Sequence, residues 1–201
     1  MTDTMPNLAI IDSGGANIAS LQFAVERLGV PAEVTTDPQR LQRASHVILP
    51  GVGAAADCMA RLRNAGLVET IRALKQPVLG ICVGMQLLFE SSEEGDVPCI
   101  GLLPGRVRRF TSRVDLPVPH MGWNQLELRR ESPLLNEIAA GDYVYFVHSY
   151  AAPVSELTVA ATSYGESFSA IVQRGNVHGV QFHPERSARA GAQLLRNFLQ
   201  L

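Results

Sequence analysis

Three continuous apolar runs, Leu8 to Ile11, His46 to Leu49 and Pro77 to Ile81, each stop abruptly at a turn region and are followed by residues at helical spacing. A strand with one wet face alternates apolar and polar positions, so unbroken runs of this length belong to strands covered on both faces. That arrangement is a parallel sheet between helices. The first run ends at Asp12-Ser13-Gly14-Gly15, after which Ile18, Leu21, Val25 and Leu28 predict a helix closing at Gly29, and Pro31 to Thr35 can supply a second strand. The second run ends at Pro50-Gly51-Val52-Gly53, before a predicted helix from Ala54 to about Leu67. The third leads into Cys82, and Met85, Leu87, Leu88 and Phe89 continue with helix formers. The rhythm predicts an α/β fold of flavodoxin-like character, a mainly parallel sheet flanked by helices. Its site belongs at the carboxyl ends of the strands bearing Pro50 and Cys82.

Between about Val97 and Val180 the character changes. Prolines and glycines punctuate short β-rich stretches, Arg106 to Phe110, Asp142 to His148 and Ser167 to Val172, which predict an appended antiparallel β portion. Ala188 to Leu199 reads as a last helix with Leu194, Leu195 and Phe198 on one face, docked back on the sheet. No repeat, low-complexity stretch or linker divides the 201 residues, so a single domain over 1–201 is expected. Seventeen basic against nineteen acidic residues give a net charge of −2, which supplies no global field for nucleic acid or an anionic membrane. No apolar run reaches membrane-spanning length, and Met1 to Asn7 lacks the pattern of a targeting peptide. Three widely spaced cysteines, Cys58, Cys82 and Cys99, argue against a disulfide framework. A cytoplasmic location is the expectation.

Gly80-Ile81-Cys82-Val83-Gly84 has the form G-x-C-x-G between a predicted strand and a predicted helix, the setting of a nucleophile elbow. Side chains two residues either way would collide on so sharp a turn, which explains both glycines. Free N–H groups at the start of the following helix favour negative charge on the sulfur, and the Val83 N–H points toward a developing oxyanion. An isolated G-x-C-x-G is equally well read as a buried, inert cysteine. A thiolate needs a base, and the base an orienting group. Gly179-Val180-Gln181-Phe182-His183-Pro184-Glu185 offers His183 at a strand end with Glu185 two residues on, on the same side of an extended chain. Pro184 restrains His183. Taken alone, His-Pro-Glu is also an ordinary strand ending. His120 and His148 follow apolar stretches as well, whereas His46 and His178 read as structural or exposed, and no pair has metal-ligand spacing.

Pro50-Gly51-Val52-Gly53, Gly80-Ile81-Cys82-Val83-Gly84-Met85-Gln86 and Gly179-Val180-Gln181-Phe182-His183-Pro184-Glu185 resemble, in that order, the three signatures of the class I (triad) glutamine amidotransferases. Within that family Pro119-His120-Met121-Gly122-Trp123-Asn124, Tyr145-Phe146-Val147-His148-Ser149-Tyr150 and Ile100-Gly101-Leu102-Leu103-Pro104-Gly105 are similar to the glutaminase subunits of imidazole glycerol phosphate synthases. The resemblance spans nearly the whole chain. It implies hydrolysis of glutamine to glutamate through a Cys82 thioester, with ammonia delivered to a (β/α)8 barrel cyclase subunit in a heterodimer of histidine biosynthesis. It implies no cofactor and no metal. Carried over by motif, Cys82 is the nucleophile, His183 moves the proton and Glu185 orients it. Gly51, Val52 and Gly53 form an oxyanion strand beside Val83, Gln86 holds the substrate, and the backbone at Ser149 and Tyr150 takes its α-carboxylate. Asn17, His120, Met121, Trp123, Asn124, Tyr145 and Arg186 face the partner. Two positions depart from the family: Asp12-Ser13-Gly14-Gly15-Ala16-Asn17 replaces the usual Asp-Tyr-Gly-x-Gly-Asn, and Val83 stands where leucine is commoner.

Trp123, the only tryptophan, suits an interface anchor or a partly buried core aromatic. Arg106, Arg108, Arg109 and Arg113 read as solvated heads on a hairpin rather than a nucleic-acid site. With no Walker-type or GxGxxG loop, a phosphate-bearing substrate belongs on the partner. Two rival readings stay open at this point: a glutaminase serving another synthase, and a non-catalytic subunit that keeps the fold. The Gly-Val-Gly strand leads us to expect a chain that is a poor glutaminase by itself and is activated by a liganded barrel.

Overall fold

In the computed structural model, residues 7–14, 18–112, 114 and 116–201 are described. The expectations placed on Asn17 and Arg113 fall outside them. The three apolar runs form strands β1 (Leu8–Ile11), β3 (His46–Gly51) and β4 (Val78–Cys82), and every residue in them is buried. Strand β2 (Ala32–Thr35), at the edge, is only half-buried. The principal sheet runs β2-β1-β3-β4, then Val177–Val180, Glu166–Arg174, Thr158–Tyr164 and Glu127–Leu128. From β2 through Val177–Val180 all neighbours are parallel; beyond that the sheet turns antiparallel. The antiparallel portion expected as far as Val180 therefore ends one strand earlier. Val177–Val180 pairs parallel to β4, which brings the His183 segment beside Cys82.

Helices α1 (Ile18–Glu26), α2 (Pro38–Arg43), α3 (Ala55–Asn64), α4 (Leu67–Ala73), α5 (Val83–Leu87) and α6 (Ala188–Phe198) flank the sheet. The single helix expected after Ala54 is two: Gly66, at φ 67°, takes a left-handed conformation that an α-helix does not continue through. The run after Cys82 is likewise shorter than its helix formers suggest. It stops at Leu88, and Phe89–Ser92 becomes a strand of a separate four-stranded sheet with Val97–Pro98, Leu103–Arg109 and Tyr150–Ala151. Phe198 of α6 packs edge-on against His46 of β3, with ring centroids 5.3 Å apart, so the last helix docks on the sheet. His46 and His178 are both buried.

His120–Gln125 and Tyr143–His148 form a two-stranded antiparallel ribbon, with Trp123 opposite Tyr145 and His120 opposite His148. The sequence conceals this strand because its outward positions carry Met121 and Trp123, which are 63% and 51% exposed, while its inward positions carry His120 and Gly122. The usual apolar-in, polar-out pattern is inverted there.

Candidate active site

Cys82 ends β4 at φ 54° and ψ −114°, a conformation most side chains avoid, and it is 5% exposed. The backbone around it is crowded. A Cβ on Gly84 would lie 1.9 Å from the Leu49 carbonyl oxygen, and one on Gly51 would lie 2.4 Å from the Gly84 nitrogen. Glycine is required where β3 and the elbow meet backbone to backbone. The register places Gly51 beside Cys82. Two side chains pin the strand next to the thiol: the Ser13 hydroxyl donates to the Pro50 carbonyl at 2.8 Å, and the Cys58 thiol to that of Val52 at 3.3 Å. The peptide group between Gly51 and Val52 thus lies between two fixed carbonyls. Because α5 has only five residues, the local N–H groups rather than a long helix dipole favour anionic sulfur.

His183 follows Val177–Val180 and reaches the same edge. Its Nδ1–H donates to Glu185 Oε1 at 2.8 Å, and the imidazole also hydrogen-bonds the Cys82 side chain. Burial works against charge on this ring, but the hydrogen bonds and charges of Cys82 and Glu185 outweigh it and carry its pKa up to about 10. The pairing of His183 with Glu185 does not come from an extended chain, as the sequence suggested. Pro184–Arg186 is a 3-10 turn, and the turn folds the carboxylate back onto the ring. Burial pushes Cys99 up to about 11 and Cys58 upward, and all three cysteines are free.

A cleft of roughly 620 Å³ opens over this edge, within the usual range for small-molecule sites. Gly51, Val52, Gly53, Cys82, Val83, Gln86, Ser149, Tyr150, His183 and Arg186 line it, so the expected nucleophile, base, oxyanion strand and substrate-binding residues converge. The sequence reading missed Glu94, which also lines the cleft and accepts from the Ala55 N–H at 2.8 Å. It missed Gln181 too, whose amide lies against the Cys82 sulfur. Neither has a local signal: Glu94 lies in a charged turn, and Gln181 is a polar residue inside an apolar run. Among the described residues no group of three or more His, Cys, Asp or Glu side chains is gathered as a metal site needs.

The expected partner-facing residues divide. Met121 and Trp123 point outward, Trp123 meets Tyr145 edge-on at 5.9 Å, and the Arg186 guanidinium lies 5.1 Å from the Tyr145 ring centre. His120 and Asn124 face the other way. His120 is 3% exposed and stacks on Tyr164 at 4.1 Å, and Asn124 donates to the Ser163 carbonyl. Strand alternation turns these even-numbered positions inward, with His120 buried and Asn124 half-buried. Within the protein they form a directed chain. The Tyr150 carbonyl can only accept, so His148 Nδ1 carries the proton (2.8 Å) and His148 Nε2 accepts from His120 Nδ1–H (3.0 Å). Burial lowers His120 to about 4 and His148 to about 3, so both rings are neutral at neutral pH. Arg106, in the expected basic cluster, pairs with Asp96 at 2.7 Å.

A cysteine, a histidine and a carboxylate meeting at the carboxyl edge of a parallel sheet define a class, and the sequence agrees: the glutamine amidotransferase class-I family matches residues 9–201, and the chain belongs to that family. It is 57% identical, over 98% of both chains, to the protein named imidazole glycerol phosphate synthase subunit HisH in Xylella fastidiosa strain Temecula1. It is 58% identical, again over 98% of each, to the protein of that name in Xanthomonas campestris pv. campestris strain 8004. Among solved structures, that of PurLQS from Thermotoga maritima aligns with a TM-score of 0.71 at 19% identity, covering 98% of this chain and 99% of that one. A glutamine amidotransferase from the same organism aligns at 0.64 and 18%, covering 96% and 82%. At such identities the likeness is one of fold. No described helix is long and apolar enough to cross a membrane.

Proposed function

We propose that this chain is the glutaminase subunit of an imidazole glycerol phosphate synthase, acting in cytoplasmic histidine biosynthesis and handing ammonia to a (β/α)8 barrel cyclase subunit. The observation that carries the reading is the His183 imidazole bonded at once to Cys82 and Glu185, in a chain that is 57% identical at full length to a subunit of that name. The Cys82 thiolate attacks the side-chain carbonyl carbon of glutamine. Negative charge moves to the carbonyl oxygen, where the Val83 N–H and an N–H of Gly51, Val52 or Gly53 receive it. The His183 imidazolium gives its proton to the departing nitrogen, releasing ammonia and leaving a thioester. Water then attacks that thioester, His183 takes the water's proton, and glutamate leaves as the thiolate reforms. Glu185 holds Nδ1–H throughout, fixing the tautomer and offsetting the imidazolium charge.

Substrate recognition follows from what the cleft leaves unsatisfied. Gln86 Oε1 is a buried oxygen without a hydrogen-bond partner among the described residues, a burden of about 1–3 kcal/mol that an N–H of glutamine would relieve. The Glu94 carboxylate suits the substrate's α-ammonium, and backbone at Ser149 and Tyr150 its α-carboxylate. Met121, Trp123, Tyr145 and Arg186 form the face for the barrel, which closes over the cleft so that ammonia does not escape into water. The test is copurification with a candidate barrel subunit, followed by glutamate release and glutamine-dependent imidazole glycerol phosphate formation. Both should require Cys82 and both should rise when the barrel is liganded. Failure to support that synthesis with any cognate barrel would remove the assignment.

A further inference from the structure

Gln181 has no part in the chemistry above, yet its side chain touches the reacting atom. It is fully buried, one residue beyond Val177–Val180 and two before His183, so both side chains project toward Cys82 while Phe182 between them enters the core. Its Nε2 lies 3.8 Å from Cys82 Sγ, within reach of an N–H···S hydrogen bond. A buried carboxamide is costly unless its groups are bonded, and a leucine would fill the same space without that burden.

The direction of this bond is fixed by an acceptor two residues removed. The Tyr150 carbonyl cannot donate, so the Gln86 group 2.8 Å from it is the NH2. That same NH2 faces Gln181 at 3.0 Å, so the Gln181 atom there is its oxygen. The nitrogen of Gln181 therefore points at the sulfur. Flipping Gln181 alone would set donor against donor, and flipping both amides would set oxygen against the Tyr150 carbonyl.

We propose that Gln181 is a catalytic hydrogen-bond donor to the Cys82 thiolate, locked in its donating orientation by Gln86 and the Tyr150 carbonyl. This rests on Cys82 being the nucleophile. The sulfur is negatively charged before it attacks glutamine and again when it is expelled from the second tetrahedral intermediate; in the thioester between, it is neutral. A fixed donor stabilises the charged states over the neutral thioester between them, favouring the thiolate and easing its departure. The same chain explains why Gln86 serves two masters. Its NH2 is spent on the lock, and its oxygen is left for substrate.

The experiment compares wild type and Gln181→Leu in the complex with the barrel subunit. Two quantities are read: glutamine turnover, and the pH dependence of Cys82 alkylation by iodoacetamide, followed on the Cys82 peptide with Cys82→Ala as the blank for Cys58 and Cys99. The other titratable groups around the sulfur are unchanged: His183 with Glu185 behind it, and Glu94, His148 and Arg186 on the cleft walls. We expect kcat to fall about tenfold and the alkylation midpoint to rise by about one pH unit, the two being equivalent in free energy. A turnover loss with the midpoint unmoved would mean that Gln181 only fills space, and would overturn the proposal. If Gln181→Leu does not give a folded complex, Gln181→Asn withdraws the amide by one methylene, keeps the site polar and is read in the same way. A wild-type complex that releases no glutamate overturns this inference together with the reading beneath it; an active wild type with an unmoved variant overturns this inference alone.

Discussion

The carboxyl edge of β3 and β4 and the ribbon of His120–Gln125 with Tyr143–His148 lie on either side of one cleft, and they are built on opposite terms. Along β3 and β4 every residue is buried, and at the elbow backbone packs on backbone with no room for a methyl group. The ribbon keeps one face for the core, with Val144, Phe146, His120 and His148 inward, and gives the other away, with Met121, Trp123 and Tyr143 more than half exposed. Under the function proposed above, chemistry that depends on close placement occupies the region that cannot relax, and recognition of a partner falls to a two-stranded element that would be marginal by itself and has apolar surface to spare.

The sharpest way to separate the two regions is Cys82→Ala, which should cut glutamine hydrolysis by at least about 10³-fold while leaving affinity for the barrel subunit unchanged. An assay of glutamate release beside a binding titration reads both. Gly84→Ala tests the crowding itself: with 1.9 Å to the Leu49 oxygen the methyl group cannot fit, and denaturant unfolding should show a loss of more than about 3 kcal/mol. Trp123→Ala should do the reverse, weakening the complex by about 2 kcal/mol, or roughly thirtyfold, with the melting temperature of the free chain nearly unchanged. Calorimetric titration and a thermal melt decide it.

The smallest effect is on pH. His120 and His148 have folded-state pKa values of about 4 and about 3, below the 6.5 of an unperturbed ring. Their stabilising contribution is therefore complete above pH 6.5 and is lost as pH falls toward about 4 for His120 and about 3 for His148, because the unfolded chain binds protons that the folded ribbon refuses. Melting temperature should decline over that window, and His120→Leu should flatten the decline.

The parallel sheet and the elbow were legible because their causes are local: unbroken apolar runs, glycines at fixed offsets, and His183 with Glu185 two residues apart. What the sequence hid depends on contacts across the fold. The strand at His120–Gln125 is masked by Met121 and Trp123 pointing outward. The break at Gly66 interrupts what reads as one helical pattern, and the helix after Cys82 is cut short because Phe89 is taken up by a second sheet. Gln181 and Glu94 become site residues only through neighbours 99 and 39 positions away, Cys82 and Ala55, and no spacing rule announces such a pair.

One seam joins the two regions. The His183 N–H donates to the Tyr145 carbonyl at 3.0 Å, the Tyr145 N–H donates to Ser187 Oγ at 2.9 Å, and that hydroxyl donates back to the His183 carbonyl at 2.7 Å. A single inserted or deleted residue within Tyr143–His148 would shift strand register, turning Tyr145 away from Trp123 and unhooking the imidazole from its support in the same step. A change in length would have to fall outside the paired residues His120–Gln125 and Tyr143–His148. Drift in what the enzyme binds is thereby shackled to the upkeep of what it does.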